Sequence, residues 1–250
     1  MKTITQPNNT FGTSIPVLPD LASVFFDFNE PPKTPKLFQE HGGLNTQIRV
    51  IPVSSKDKQN DPNGTYVNCT STGKKKLSPF YLGPSSLYGG RTSYRMENAW
   101  QFSKVFSQYV GEDGNPTQEY FDWAEAGWSS RKAIRHPMGK GAVPNFFWWD
   151  GEKLDRIEAR KRIYVPLYSE RVVKTQCFSE LQSQWEHVKS HEDRTLYLMD
   201  FDAYPYEDMT FSEVLNNPNK SMGHGFVLAM LLTNDETLEE TTVNGTEVTL

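Results

Sequence analysis

Apolar and polar positions recur along the chain with the two periods that are typical of strands and of helices. Residues 46–53 (TQIRVIPV) alternate polar and apolar side chains as a half-buried strand does. The turn signal Asp-Pro-Asn-Gly at 61–64 leads into a second strand at 65–72, so we expect a hairpin or two adjacent strands. A third apolar strand, 194–204, ends in acidic residues.

The clearest helical pattern covers residues 95–110, where apolar residues fill one side of the predicted helix. Glu97, Gln101 and Lys104 share the opposite side, because positions i, i+4 and i+7 lie close together on a helix. A solvated polar stripe is the simplest explanation of this pattern. Trp100 lies beside the stripe and is costly to expose, which indicates that this edge of the helix is covered.

Four further segments have helical patterns, and together with the strands they define the fold class. They are 119–137 with a break near Gly127, 152–191 with an interruption at Pro166, 209–217, and 221–232, which is apolar and entered through glycines. We expect a loop for the aromatic run 146–149. The pattern predicts an α+β protein, mainly helical, with a few short strands.

The predicted domain has an extension at each end. Residues 1–46 are rich in proline, asparagine and threonine and predict a loop-rich N-terminal extension, while 47–232 form a single domain. Residues 233–250 predict a C-terminal hairpin, because Asn244-Gly245 suits a type I′ turn.

Composition and charge exclude several classes of protein. Aromatic residues make up 13% of the chain and charged residues 23%, so a disordered protein is not expected. The formal net charge of −5 argues against a surface that traps nucleic acid everywhere, but it leaves room for a local basic patch. No apolar run reaches the roughly 20 residues that cross a bilayer, and no signal-peptide pattern is present, so we expect a cytoplasmic protein.

The sequence carries no signature of a metal or a cofactor. Cys69 and Cys177 lie far apart, without a CxxC motif or a zinc-ligand spacing. The motifs GxSxG, GxGxxG after a strand, Walker A and HExxH are all absent. We therefore expect neither a metal nor a cofactor.

A basic cluster lies next to aromatic residues and is a candidate ligand surface. Its members are Arg131, Lys132, Arg135, His136 and Lys140. Trp128 precedes the cluster and the aromatic run 146–149 follows it, and phosphates and bases are bound by this combination of cations and rings. A merely solvated run is the commoner explanation. Arg160 and Arg162 are candidates to extend the same surface.

Two acids and one histidine complete the candidate chemistry. Asp200 and Asp202 follow the apolar strand and point the same way if the strand continues that far, so one carboxyl could keep a raised pKa and act as acid or base. Alternatively, either aspartate caps a helix or a turn. His224 opens the last apolar helix between two glycines, where exposed amides favour an anion or where the glycines simply form a tight turn.

The order of these motifs resembles the NADAR (YbiA-like) superfamily. The matching segments are KLSPFYLG (76–83), ENAWQFSKVF (97–106), GWSSRKAIRHPMGK (127–140) and MGHGFVLAML (222–231). Uncharacterised bacterial and phage relatives add two more elements, matched here by EARKRIYVPLY (158–168) and LYLMDFDAY (196–204). The chain departs from the usual pattern in reading SPFY for SNFY and in having GHG where many relatives have an asparagine.

The resemblance implies an N-glycosidase that releases ADP-ribose or a related ribosyl group from a nucleobase, including a base of DNA or RNA bound through the basic patch. It puts Glu97 at the catalytic glutamate, Lys104 beside it, and Asp202 or Asp200 as a second acid. The residues that it implies for substrate binding are Phe80, Tyr81, Trp100, Gln101, Trp128, Arg131, Lys132, Arg135, Lys140, Asp200 and His224. The chemistry suits carboxylates, because cleavage at C1′ develops an oxocarbenium-like sugar.

Two other classes of function stay open at this point. The chain could be a non-catalytic module that binds a nucleotide such as ADP-ribose, with the polar face only docking the ligand. It could also be a structural or interaction protein, viral in origin, that assembles through the extension and the hairpin edges. Sequence alone leaves the base, the choice between free nucleotide and polymer, and the oligomeric state undetermined.

Overall fold

The computed structural model describes residues 47–54, 61–206 and 208–233. The predicted extension, 1–46, and the hairpin predicted at Asn244-Gly245 lie outside the described residues. Within the described part, helices are combined with three small sheets, so the mixed helix and strand content predicted from the sequence is confirmed.

The described strands and helices follow one another in this order along the chain. The strands are β1 (Ile48–Pro52), β2 (Gly64–Asn68), β3 (Ser85–Ser86), β4 (Thr92–Ser93), β5 (Lys104–Val105), β6 (Phe146–Trp149), β7 (Glu152–Leu154) and β8 (Thr195–Asp200). The helices are α1 (Met96–Gln101), α2 (Gln118–Trp128), α3 (Arg156–Ala159), a π-helical turn (Arg160–Tyr164), α4 (Val165–Val172), α5 (Gln176–Lys189), α6 (Phe211–Leu215) and α7 (His224–Thr233).

The central sheet has the strand order β1-β8-β2, and both pairings are parallel. The expected hairpin of β1 with β2 is therefore wrong, because β8 lies between the two strands. Val50 pairs with Leu198, and Val67 pairs with the same residue from the other side; all three are buried. Parallel strands need long crossover connections, which explains why β8 comes so late in the sequence.

Helix α7 is apolar on all sides and almost fully buried, as a helix in the centre of a core must be. It packs against β1, β8 and α4. Gly225 allows the close approach to the sheet, since a Cβ there would lie 2.9 Å from Val50 Cγ1 and 3.0 Å from Asp200 Cβ. None of the helices in the described ranges has the length and apolar character needed to cross a bilayer.

The helix predicted over 95–110 ends at Gln101, so the prediction is wrong beyond that residue. The chain turns at Phe102, whose ψ is 3°, and continues into the short strand β5. Val105 is β-branched and pairs with Phe146 of β6, which favours strand over helix here. For the same reason the aromatic run 146–149 is a strand and not the expected loop.

Two further helix predictions need correction. Residues 129–137 are not helical, and α2 simply ends at Trp128. The region 152–191 begins as strand β7 and breaks after Val172, whereas no interruption occurs at Pro166. Pro166 lies just after the π-helical turn Arg160–Tyr164, where the regular helical hydrogen-bond pattern is already changed, so the proline is accommodated without ending the helix.

Gly127 brings α2 into direct contact with the turn that follows α1. A Cβ at this position would lie 2.1 Å from Phe102 Cδ1, and the Phe102 ring is buried. We expect Gly127→Ala to lower the free energy of unfolding by about 1–3 kcal/mol, because the ring cannot move without disturbing the core. Urea denaturation measures this difference.

The adjacent residue Ala126 provides the matched control, because it is exposed on the same helix. Ala126→Lys adds more atoms than Gly127→Ala, yet it should change the free energy of unfolding by less than about 0.5 kcal/mol. Equal stability of the Gly127→Ala and wild-type proteins would contradict the packing described for α2.

Candidate functional site

The carboxylate of Glu97 points into the protein and not into bulk water. Glu97 is 5% exposed although it carries a charge and lies in the first turn of a short helix. The N–H of Glu97 donates to the carbonyl of Pro79 at 3.1 Å, and that of Met96 donates to Leu82 at 2.9 Å. These bonds attach the start of α1 to the SPFY segment and fix the direction in which Glu97 points.

Glu97, Gln101 and Lys104 form a continuous hydrogen-bonded chain. Gln101 Nε2 donates to Glu97 Oε1 at 2.9 Å, and Lys104 Nζ donates to Gln101 Oε1 at 2.6 Å. The amide of Gln101 thus presents its NH₂ to the anion and its carbonyl to the cation. The three residues meet as the sequence pattern predicts, but Lys104 reaches the site from β5 and not from the helix.

Burial governs the protonation of this chain. It raises the pKa of Glu97, while the hydrogen bond from Gln101 and the positive charges of Lys104, Arg135 and His224 act in the opposite direction. Burial also lowers the pKa of Lys104 to about 8, although the negative charge of Glu97 favours its ammonium form. A carboxyl and an amine thus lie side by side with pKa values shifted toward neutrality, an arrangement that is enriched at functional sites.

Aromatic side chains form the wall beside this chain. Trp100 is half-buried and stacks on Phe147 with ring centroids 4.7 Å apart, and Lys104 Nζ lies 5.4 Å from the Trp100 ring centroid. Tyr164 contacts the edge of Trp100 at 5.2 Å between centroids. The covered edge that Trp100 indicates in the sequence is therefore confirmed.

Tyr164 is a site residue that sequence reasoning missed. It ends the π-helical turn, a feature that often occurs at functional sites. Burial raises its pKa well above the usual value, and the negative charges of Asp200, Glu97 and Asp202 add to this effect. Its phenol therefore stays protonated and can donate a hydrogen bond. No periodicity in the sequence marks a π-helical turn, so only the IYVP match in the family resemblance could have pointed to it.

The two strand-end aspartates, which the sequence left equivalent, have different environments. Asp200 is 2% exposed and accepts hydrogen bonds from the N–H groups of Phe201 at 2.6 Å and Gly225 at 2.7 Å. It therefore caps α7 and does not face a ligand. Strand β8 ends at Asp200, so the strand alternation that would point the side chains of Asp200 and Asp202 the same way does not extend to Asp202. Asp202 is exposed and lies 3.7 Å from Arg135 Nη2.

His224 connects β2, β8 and α7. Its Nε2 donates to the carbonyl of Cys69 at 2.9 Å, and its Nδ1 lies 3.3 Å from Asp200 Oδ2. The ring is buried, and its charge is one of those that lower the pKa of Glu97. His224 is thus buried and held by structural contacts, close enough to Glu97 to act on its charge; it does not extend toward solvent as the predicted anion site requires.

The basic loop after α2 is attached to α1 by a residue that the sequence pattern did not reveal. Asn98 is fully buried, and its Nδ2 lies within 2.9 to 3.1 Å of the carbonyls of Gly127, Ser130 and Lys132. Its Oδ1 accepts from the N–H of Ile134 at 2.8 Å. Glu97 and Asn98 are neighbours on α1, so one helix holds both the buried hydrogen-bonded chain and the basic loop.

The predicted basic residues of the loop lie at the surface, and one of them acts on the buried carboxylate. Arg135 acts on both Glu97 and Asp202. All five predicted residues are exposed, namely Arg131, Lys132, Arg135, His136 and Lys140. Arg156, which was not predicted, also contributes to the site, because its charge lowers the pKa of Lys104.

Trp128 and Arg160 are buried, so neither forms part of the predicted ligand surface, and Arg162 is held in an ion pair. Trp128 is 1% exposed and contacts Tyr88 edge-on, so no face is open to a base. Arg160 is buried, where it donates to the carbonyls of Leu215, Asn217 and Lys220 and holds the chain between α6 and α7. Arg162 pairs with Glu152 at 2.6 Å.

The SPFY segment divides between the interior and the surface. Phe80 is half-buried and Tyr81 is 39% exposed, with Lys75 Nζ 5.8 Å from the Tyr81 ring centroid. Neither ring forms part of the wall around Trp100 that is described above. The segment contributes to the site chiefly through the carbonyls that receive the first N–H groups of α1.

Comparisons with known proteins add no assignment to this geometry. Among the described residues, no group of three or more histidine, cysteine or acidic side chains could hold a metal ion. The chain matches no protein-family model, no curated protein and no solved structure.

Proposed function

We propose that the protein hydrolyses the N-glycosidic bond between ribose, or ADP-ribose, and a nucleobase, including a base carried by DNA or RNA. The observation that supports this proposal most strongly is the buried Glu97 carboxylate, joined through Gln101 to Lys104. Arg135 acts on the charge of Glu97, and the exposed carboxylate of Asp202, which pairs with Arg135, acts on the charge of Lys104.

The proposed reaction uses the two carboxylates in different roles. As the bond between C1′ and the base breaks, positive charge develops on the sugar, and the ionised Glu97 stabilises it. Water adds to C1′ as the bond to the base breaks, Glu97 or Asp202 accepts the proton of that water, and the resulting carboxylic acid gives the proton to the departing base, which restores the carboxylate. Because the Glu97 carboxylate is desolvated, its interaction with the developing charge is stronger than it would be in water.

Cations near the carboxylates suit a substrate with phosphates. Arg135 is exposed beside Asp202, and a diphosphate held there would fix the ribose next to Glu97. Lys104 orients Gln101 and compensates the charge of Glu97, so its ammonium form is the one that the site needs. Of the two tryptophans that the resemblance implies for substrate binding, the half-buried Trp100 lies beside Lys104, and we assign the contact with the substrate to it, because Trp128 is buried.

Glu97→Gln separates an enzyme from a non-catalytic binding module. The variant keeps the size of the side chain and removes its charge, so turnover should fall about 100-fold or more while ligand affinity is retained. Mass spectrometry of the products formed from ADP-ribosylated DNA, ADP-ribosylated RNA and free ribosylamino compounds measures the turnover. Isothermal titration with ADP-ribose measures the affinity.

Glu170→Gln is the matched control, since Glu170 is an exposed carboxylate on α4. It should leave both turnover and affinity unchanged. If neither the Glu97→Gln nor the Glu170→Gln protein releases a base from any of the three substrates, but both bind ADP-ribose, the protein is a non-catalytic binding module.

The proposed roles also predict a bell-shaped dependence of kcat/KM on pH. Glu97 acts as an anion, and because burial raises its pKa, the acid limb should lie above the ordinary carboxyl value of 4.5. Lys104 acts as a cation, so activity should decline as the pH rises through about 8.

Lys104→Met tests both limbs at once. The alkaline limb near pH 8 should disappear because its titrating group is gone. The acid limb should move to higher pH, because the positive charge that lowers the pKa of Glu97 is removed. A profile in which Lys104→Met leaves both limbs in place would contradict the assigned roles.

A further inference from the structure

Two exposed tyrosines on the surface near the site each lie against a cation. Tyr81 is 39% exposed with Lys75 Nζ 5.8 Å from its ring centroid, and Tyr94 is 44% exposed with Arg131 Cζ 5.0 Å from its centroid. A cation at this distance attracts the ring and restrains its orientation. Both rings are thus partly fixed and also accessible, although exposing large aromatic side chains to water is costly.

Arg95 joins the two pairs into one surface. Its Nε donates to the carbonyl of Arg131 at 2.8 Å, and its Nη1 donates to the carbonyl of Tyr81 at 3.3 Å. Since one guanidinium contacts both backbones, the two tyrosine–cation pairs are neighbours. We call the set of Lys75, Tyr81, Tyr94, Arg95 and Arg131 the tyrosine strip.

The cations of the strip are not neutralised by acidic neighbours. Within the described ranges, Lys75, Arg95 and Arg131 form no ion pair, whereas nearby Lys74 is paired with Glu180 at 2.9 Å. The strip therefore keeps its positive charge on a chain whose formal net charge is −5. This local charge is available for an anionic ligand.

We propose that the tyrosine strip binds single-stranded nucleic acid. Accessible rings beside unpaired cations match the two repeating parts of such a strand, because bases stack on rings and phosphates contact cations. A duplex hides the faces of its bases, so it cannot use the rings. A free nucleotide would not need two ring and cation pairs in sequence.

The strip is connected to the Glu97 site through the backbone. Leu82 directly follows Tyr81, and its carbonyl accepts the N–H of Met96 at the start of α1. The loop that begins at Arg131 reaches Arg135 four residues later. A strand on the strip would therefore deliver a neighbouring nucleotide to the carboxylates. In this form the inference rests on the proposed function, and it selects a base within a single strand as the substrate.

Fluorescence anisotropy with a labelled single-stranded DNA of about 15 nucleotides tests the strip. Tyr81→Ala and Tyr94→Ala should each weaken binding about 5-fold or more, and both Tyr→Phe variants should bind like the wild type because they keep the stacking ring. The unlabelled duplex of the same sequence should compete poorly. Melting temperatures of the four variants show that each is folded.

The charge contribution is tested by the salt dependence of the same binding. Lys75→Ala should lower the slope of log K against log salt by about 0.7, the value for one lost phosphate contact on a single strand. Lys153→Ala is the matched control, because Lys153 lies 5.5 Å from the Phe146 ring centroid outside the strip. It should leave the slope unchanged.

The outcomes separate this inference from the proposed function. Equal binding of duplex and single strand, or unchanged binding in both Tyr→Ala variants, overturns the strip even if free ADP-ribosylated nucleotides are hydrolysed. Strip-dependent DNA binding by the wild-type protein supports the strip, and an absence of hydrolysis by that same wild-type protein overturns only the glycosidase.

Discussion

The structure around the candidate site depends on one interaction, the buried chain of carboxylate, amide and ammonium from Glu97 through Gln101 to Lys104. Burying the Glu97 carboxylate or the Lys104 ammonium without a partner would cost on the order of several kcal/mol. Each charge is tolerated because the other compensates it, and the Gln101 amide is hydrogen-bonded to both. The helix must end at Gln101 for Lys104 to return from β5. Asn98, on the same helix, then attaches the basic loop to the site.

Local patterns revealed some elements of the fold but not their pairing. The strand at 48–52 and the apolar helix at 224–233 follow from period and glycine position alone, as does the strand at 195–200. The parallel order of the central sheet could not be derived, since each pairing joins strands more than a hundred residues apart and depends on packing. The helix expected over 95–110 is shorter because the pairing of Val105 with β6 outweighs helical periodicity.

The site was predictable only in part, because some of its contacts depend on local helical spacing and others on tertiary packing. Helical spacing correctly predicted that Glu97 lies next to Gln101. Lys104 was also predicted to join them, but it does so from strand β5 and not from the same helix. Trp128 looked like a ligand contact because it stands beside basic residues, yet a tryptophan in the last turn of a helix serves equally well in a core. Tyr164 depends on a π-helical turn, which leaves no period in a sequence.

The most direct test of the buried chain is an NMR titration of Lys104 with ¹³C-labelled lysine, its signal assigned by its loss in Lys104→Met. If the ammonium is desolvated beside Glu97, the midpoint lies near 8, and it falls further in Glu97→Gln because the negative charge that supports the ammonium is removed. A midpoint at the ordinary value of 10.5 that Glu97→Gln leaves unchanged would contradict the chain and the function proposed from it.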